Sequence, residues 1–266
     1  MIHPAIGTRG QVRRKLGIVV PDDPADVSSA KSVQSLVTRC ENDPSRQPPI
    51  YTYESDINRA AEQTAATVAG LINAKVTTVV CMCDPIAPAF LTKGLTSQNY
   101  FPEFLMPGLG LLDYDKVGRL YDQQQMVHAF GPSHLANAIP EPQQEKSIVA
   151  ADVGKPGVAC GSCGVNWAYF EMAATMLQGA GPTLTPLTIE RAVMANPFPA
   201  GDANYPTYRF GANDYTAIED AREVHWNPAA VSPIDGNPGA YVPIDGGRRY
   251  LVGQWTRDWK VPPPSD

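Results

Sequence analysis

The chain has 266 residues and a formal net charge of −6, with 21 Lys and Arg against 27 Asp and Glu. Mild acidity with no basic block argues against a nucleic-acid binder, which needs positive charge for the phosphate backbone. A hydrophobic share of 43% in a chain this long can bury a sizeable core, which argues against intrinsic disorder. No apolar run approaches the ~18 residues of a membrane helix, and the start Met1-Ile2-His3-Pro4 lacks the basic and apolar regions of a signal peptide.

The first element is read from Arg13-Arg14-Lys15-Leu16-Gly17-Ile18-Val19-Val20, a short β-branched run that stops at Pro21-Asp22-Asp23-Pro24. Asp26 or Ser28 then caps a helix whose apolar residues Ala30, Val33, Leu36 and Val37 recur at helical spacing. Ile50-Tyr51-Thr52-Tyr53 is a second strand. Ile57, Ala61, Thr64, Val68, Leu71 and Ile72 form the stripe of a longer helix, with Ser55 or Asp56 as its cap. Residues 76–83 are apolar and β-rich, as in a strand covered on both faces, and end at Asp84-Pro85. Helical spacing resumes over 86–98. A fourth strand is expected at Phe104-Leu105-Met106, a short helix near Val117 and Leu120, and a fifth strand at Gln125–Phe130.

Strand and helix thus alternate through residues 14–130, which predicts right-handed βαβ units and a mostly parallel sheet flanked by helices. In such α/β sheets ligands bind beyond the carboxyl ends of the strands, so Asp22, Asp23, Asp84, Pro85 and Leu109 are expected along one edge.

After Gly131 the chain becomes rich in Pro and Gly. Trp167, Phe170, Ala174 and Leu177 mark an amphipathic helix ending at Gly179-Ala180-Gly181-Pro182, and Thr185-Pro186 opens another through Ile189 and Val193. The end is β-like. Residues 222–226 form one strand, and residues 240–242 and 249–252 form a β-hairpin around Asp245-Gly246-Gly247. Trp226, Tyr241, Tyr250, Trp255 and Trp259 either form a binding platform or pack that hairpin onto the sheet.

Reactive chemistry has few candidates. Cys160-Gly161-Ser162-Cys163 before a helix suits thiol–disulfide exchange, because a helix N-terminus lowers a thiol pKa; a local disulfide or idle thiols are the alternatives. Cys81 and Cys83 share one face of a strand and read as buried apolar cysteines. His3, His128, His134 and His225 are scattered, so no metal site is expected. Neither a phosphate-binding Gly-x-x-x-x-Gly-Lys loop nor a Gly-x-Ser-x-Gly elbow occurs, and no cofactor or catalytic residue is assigned. The carboxylates Asp22, Asp23 and Asp84 at strand ends either accept from a ligand ammonium or cap the helices that follow them.

In order along the chain, Arg14–Pro24, Thr77–Phe90 with its Cys-Asp-Pro, Gly94–Pro102, Ala173–Val193, Asp214–Pro228 and Gly246-Gly247-Arg248-Arg249-Tyr250 resemble one family. It is the type I periplasmic solute-binding proteins of ABC transporters, in the branched-chain amino acid branch. The resemblance implies a protein, monomeric when intact, that closes two lobes around a small-molecule solute and delivers it to a membrane permease outside the cytoplasm. It implies ligand contacts after the first, third and fourth strands, at Asp23, Asp84, Pro85, Ile86 and Leu109. Pro, Ile and Leu stand where the family's amino acid pocket carries aromatic and hydroxyl groups, which points to a more apolar ligand. By the same resemblance, 1–130 is the α/β core of lobe two, 131–213 holds a connection and helices that complete lobe one, and 214–266 returns to lobe two. The first half of lobe one, with any export signal, is then missing, and the helices of 131–213 lack the sheet they would cover. Two other functions are carried forward: an oxidoreductase using Cys160 and Cys163, and a ligand-sensing domain of the same fold.

Overall fold

The structure is a computed structural model and describes residues 14–138, 140, 163–196 and 201–255. Strand β1 (Leu16–Pro21) is buried along its whole length, as its apolar run predicts. Helix α1 (Pro24–Glu41) follows after two residues. Its cap is Asp23, not Asp26 or Ser28: the Asp23 side chain accepts from Ala25 N–H at 2.9 Å. Pro24 sets the helix start there, since its fixed φ suits the first helical position and its missing N–H loses nothing.

The alternation then continues as expected through β2 (Ile50–Tyr53), α2 (Ala60–Asn73), β3 (Thr78–Cys81), α3 (Ala87–Ser97) and β4 (Glu103–Leu105). Helix α2 begins later than its apolar stripe. Asp56 turns its side chain to Asn58 N–H at 2.9 Å, which makes a local turn and leaves Ser55 and Asp56 outside the helix. Two single-turn helices follow, α4 (Asp115–Gly118) and α5 (Gln123–Met126), before β5 (Ala129–Ser133). Gln125 and Met126 therefore belong to a helical turn and not to the fifth strand. Asp122 caps that turn through Gln124 N–H, and the Gln125 side chain donates to Thr96 Oγ1 and to the Tyr100 carbonyl.

The sheet has the order β2-β1-β3-β4-β5-β6-β7, where β6 is Asp220–Val231 and β7 is Pro238–Pro243. The first five strands are parallel, and β6 and β7 join antiparallel. Opposed residues share a face, so Ile18, Val80 and Leu105 look to one side and Val19, Val79, Cys81, Phe104 and Ala129 to the other. The first side takes α1 and a small core of Leu16, Ile18, Val20, Ala30 and Val80. The second takes α2 and α3 over the larger core, which extends through Met126 to Trp226. Gly131 lets β5 pass β4 closely: a Cβ there would lie 1.9 Å from the Met106 carbonyl oxygen.

A hairpin is present near the C-terminus, but it joins β6 to β7 through Pro233–Asn237, and not residues 240–242 to 249–252. Ser232 N–H donates to the Asn237 carbonyl at 2.8 Å and closes that turn. At Asp245-Gly246-Gly247 three successive residues take positive φ, so the chain curls instead of reversing in two residues. Strand β8 (Tyr250–Leu251) consequently pairs with the start of β6. Trp226 is buried and meets Tyr241 edge to face at 5.0 Å, which ties β6 to β7. Tyr250 stacks on Trp255 at 5.1 Å in a separate contact, and Trp259 lies outside the described residues.

Helices α6 (Cys163–Ala180) and α7 (Pro186–Ala195) pack against each other. Thr185 caps α7 as expected, accepting from Thr188 N–H, with Pro186 at the first position. Apolar residues on and between them are uncovered: Phe170 is 70% exposed, and Leu177, Leu184 and Leu187 are exposed too. Cys81 and Cys83 are not free buried thiols but form a disulfide with each other. Strand β3 ends at Cys81, and beyond it the chain leaves the extended form, which brings the Cα atoms to 5.1 Å, within disulfide reach.

Candidate functional site

The strand order β2-β1-β3-β4-β5 reverses direction between β1 and β3, where a ligand crevice opens beyond the carboxyl ends in doubly wound sheets. A cavity of about 280 Å³ lies at that end, between the N-termini of α2 and α3. Val19, Tyr53, Ile57, Pro85, Ile86 and Leu91 give it an apolar wall, and Glu54, Asp56, Gln63, Thr64 and Asp84 reach its margin. The late start of α2 makes this room, because residues 54–59 form a loop over the strand ends where the sequence pattern predicted the start of a helix.

Asp84 organises the mouth. Its Oδ1 accepts from Ile86 N–H at 2.7 Å and Ala87 N–H at 3.1 Å, which satisfies the free end of α3. Its Oδ2 accepts from the Tyr53 hydroxyl at 2.6 Å, and Asp84 N–H donates back to that hydroxyl at 3.0 Å. Burial pushes the Tyr53 hydroxyl pKa well up, and its bond to Asp84 pushes it further, so the phenol stays a donor. Tyr121 Oη donates to the Pro85 carbonyl at 2.9 Å and pins the next residue. The Cys81–Cys83 disulfide ends immediately before Asp84.

Three of the residues expected at the site, Asp84, Pro85 and Ile86, line one cavity. Asp23 is exposed and occupied as the cap of α1, and it does not line that cavity. Leu109 is 46% exposed on the loop after β4, next to Gly110, whose would-be Cβ lies 3.5 Å from the Pro85 ring. Leu109 does not line that cavity. Tyr53 and Ile57 were not singled out as site residues in the sequence. An aromatic closing a strand just before Glu54-Ser55-Asp56 was the available signal.

Cys160 lies outside the described residues, as does Cys163 apart from its backbone in α6. Among the described residues no group of three or more His, Cys, Asp or Glu could hold a metal ion. Among them also, no helix is long and apolar enough to cross a membrane.

No family model and no curated protein matches the chain. Solved structures do. One is the leucine-, isoleucine-, valine-, threonine- and alanine-binding protein of Brucella ovis in a closed conformation, at 12% identity and a TM-score of 0.58 over 90% of this chain and 58% of that one. Another is a fatty acid ABC transporter substrate-binding protein of Thermomonospora curvata, at 14% identity and a TM-score of 0.59 over 91% and 61%. A third is a type 1 periplasmic binding protein of Bordetella pertussis Tohama I, at 14% identity and 0.56 over 86% and 61%. The chain thus spans about three fifths of the length of these structures. Between 86% and 91% of the chain is covered by these likenesses, and so it has the fold of the type I periplasmic solute-binding proteins.

Proposed function

We propose that the chain is the second lobe, with late elements of the first, of the solute-binding component of an ABC-type transporter. In this reading it works outside the cytoplasm, holds a small solute without chemistry, and hands it to a membrane permease. The observation that carries the proposal is the apolar cavity at the carboxyl ends of β1–β3, with Asp84, Pro85 and Ile86 on its rim. The segments 1–130 and 214–266 form the lobe, and α6 and α7 belong to the opposite one. Their uncovered apolar residues support that assignment, since such faces mark surfaces that another element covers. Closure of the two lobes is a hinge motion that buries the solute between them.

The lining favours an apolar or weakly polar solute. Three of the about four acceptor positions on Asp84 are taken by the protein itself. Octanoate and leucine are suitable probes, one acidic and aliphatic, the other zwitterionic. In NMR titrations of the 266-residue chain, octanoate is expected to shift amides of residues 53–57 and 84–91 more than leucine does. Ile86→Asp is expected to remove those shifts. Saturable binding of either probe elsewhere, with residues 84–91 unmoved, refutes the assignment of the site.

A further inference from the structure

A second cavity, of about 380 Å³, lies where the loop at Asp113–Asp115, the segment after β5, the β6–β7 pair and Tyr169 of α6 meet. None of its lining residues lines the cavity at the ends of β1–β3. Asp113 is 4% exposed, and neither of its carboxylate oxygens has a hydrogen-bond partner. The Ser133 hydroxyl lies near the carboxylate without completing a bond. A buried carboxylate in that condition is unfavourable unless something reaches it.

Arg222 faces the same space and is 6% exposed. It donates through Nη1 to Asn137 Oδ1 and through Nη2 to the Ala136 carbonyl at 3.2 Å, but its Nε–H has no acceptor. No hydrogen bond joins Arg222 to Asp113. The cavity therefore presents unmet acceptors at one point and an unmet donor at another. The second acid in the wall, Asp115, is already satisfied by the Ser232 hydroxyl at 2.6 Å and Tyr241 N–H at 2.8 Å. Asp113, Asp115, His134 and Arg222 are the titratable and charged side chains in the wall besides its tyrosines. The rings of Tyr169, Tyr208 and Tyr241 border it, and such faces attract organic cations.

We propose that this cavity binds a small organic monocation with a neutral oxygen beside its ammonium group, an amino alcohol. The ammonium donates to Asp113, and the oxygen accepts from Arg222 Nε–H. Both unmet groups then gain partners in charge-assisted bonds. A metal ion fits less well, because among the described residues no three His, Cys, Asp or Glu converge.

The test is calorimetry and NMR on the full chain with 2-aminoethanol, n-propylamine and glycine. Saturable binding of 2-aminoethanol, tighter than that of the other two, is expected, with shifts at Ser133, Arg222 and Tyr241. Asp113→Asn keeps the side-chain shape and is expected to weaken 2-aminoethanol at least about tenfold. Arg222→Lys removes the Nε–H donor and is expected to reduce 2-aminoethanol to the level of n-propylamine. This second variant carries the test if Asp113→Asn fails to give a native spectrum. Absence of saturable 2-aminoethanol binding, an unchanged affinity in the folded variants, or tighter binding of glycine overturns the proposal.

Discussion

Glu223 gives a direct measure of how the sheet's outer half stores charge. It sits on β6 opposite Pro132 of β5, and burial raises its carboxyl from an ordinary 4.5 to about 7, with Arg14 alone pulling it back. At about 1.4 kcal/mol per unit, the full shift corresponds to about 3 kcal/mol. Its partial contact with solvent brings the expected effect to about 1–2 kcal/mol. The folded-state pKa is raised, so protonation favours the folded state. The contribution is fully present below pH 4.5 and is lost as pH rises to about 7. Glu223→Gln mimics the protonated form at every pH. It is expected to match the parent near pH 4.5 and to exceed it by about 1–2 kcal/mol above pH 7, read from urea unfolding at a series of pH values. Burial pushes the His128 and His225 imidazoles down, so they act in the opposite sense as pH falls, and both proteins retain them, so they cancel in the difference. A difference that stays flat from pH 4.5 to 7, or a Gln variant less stable than the parent above pH 7, refutes the reasoning.

Other expectations concern the frame that holds the cavities. Arg14 pairs with buried Glu103 at 2.9 Å, and Thr78 Oγ1 donates to the same carboxylate at 2.7 Å. Arg14→Met strands that charge and should cost about 3–5 kcal/mol in urea unfolding, while Arg14→Met combined with Glu103→Leu recovers most of the loss. Gly131→Ala places a methyl 1.9 Å from the Met106 carbonyl oxygen, so β4 and β5 must separate. A loss of at least about 2 kcal/mol is expected, and a neutral effect by thermal unfolding contradicts the strand spacing. Peptide mapping under denaturing, non-reducing conditions should recover Cys81 and Cys83 in one intact disulfide-bearing peptide, with Cys40 alkylated.

The α/β order was legible in the sequence because buried parallel strands leave short β-branched runs and amphipathic helices leave stripes. Turn chemistry was less legible. The cap of α1 depended on reading Pro24 as a first helical residue, and the start of α2 depended on whether Asp56 turns toward Asn58 or caps a helix. The hairpin was read at Asp245-Gly246, and only pairing across the sheet selects Asp235-Gly236 instead. The Cys81–Cys83 bond needed the two residues to be joined to each other rather than merely share a face. Asp113 and Arg222 are 109 positions apart, and no periodicity or spacing rule links such a pair before the sheet is assembled.

What the proposed cleft selects follows from what Asp84 is already doing. A carboxylate at a cleft mouth suggests a partner for a ligand ammonium, yet this one caps α3 and holds the Tyr53 hydroxyl. Its geometry is fixed by three protein donors, so it shapes the mouth more than it meets the solute. Recognition then falls to Ile57, Ile86 and Leu91, which distinguish solutes by area and not by charge. Asp84→Asn keeps the acceptor toward Ile86 and Ala87 through its amide oxygen, but turns an NH₂ toward the Tyr53 hydroxyl, which can still accept. The variant should therefore keep octanoate binding within about threefold, since no charged contact to the solute is removed. Tyr53→Phe loosens the same mouth by removing two bonds, both to Asp84, and should have a similarly small effect. Ile86→Asp, which places a charge on the apolar wall, should abolish binding. A loss in Asp84→Asn as large as in Ile86→Asp would show instead that the carboxylate itself grips the solute.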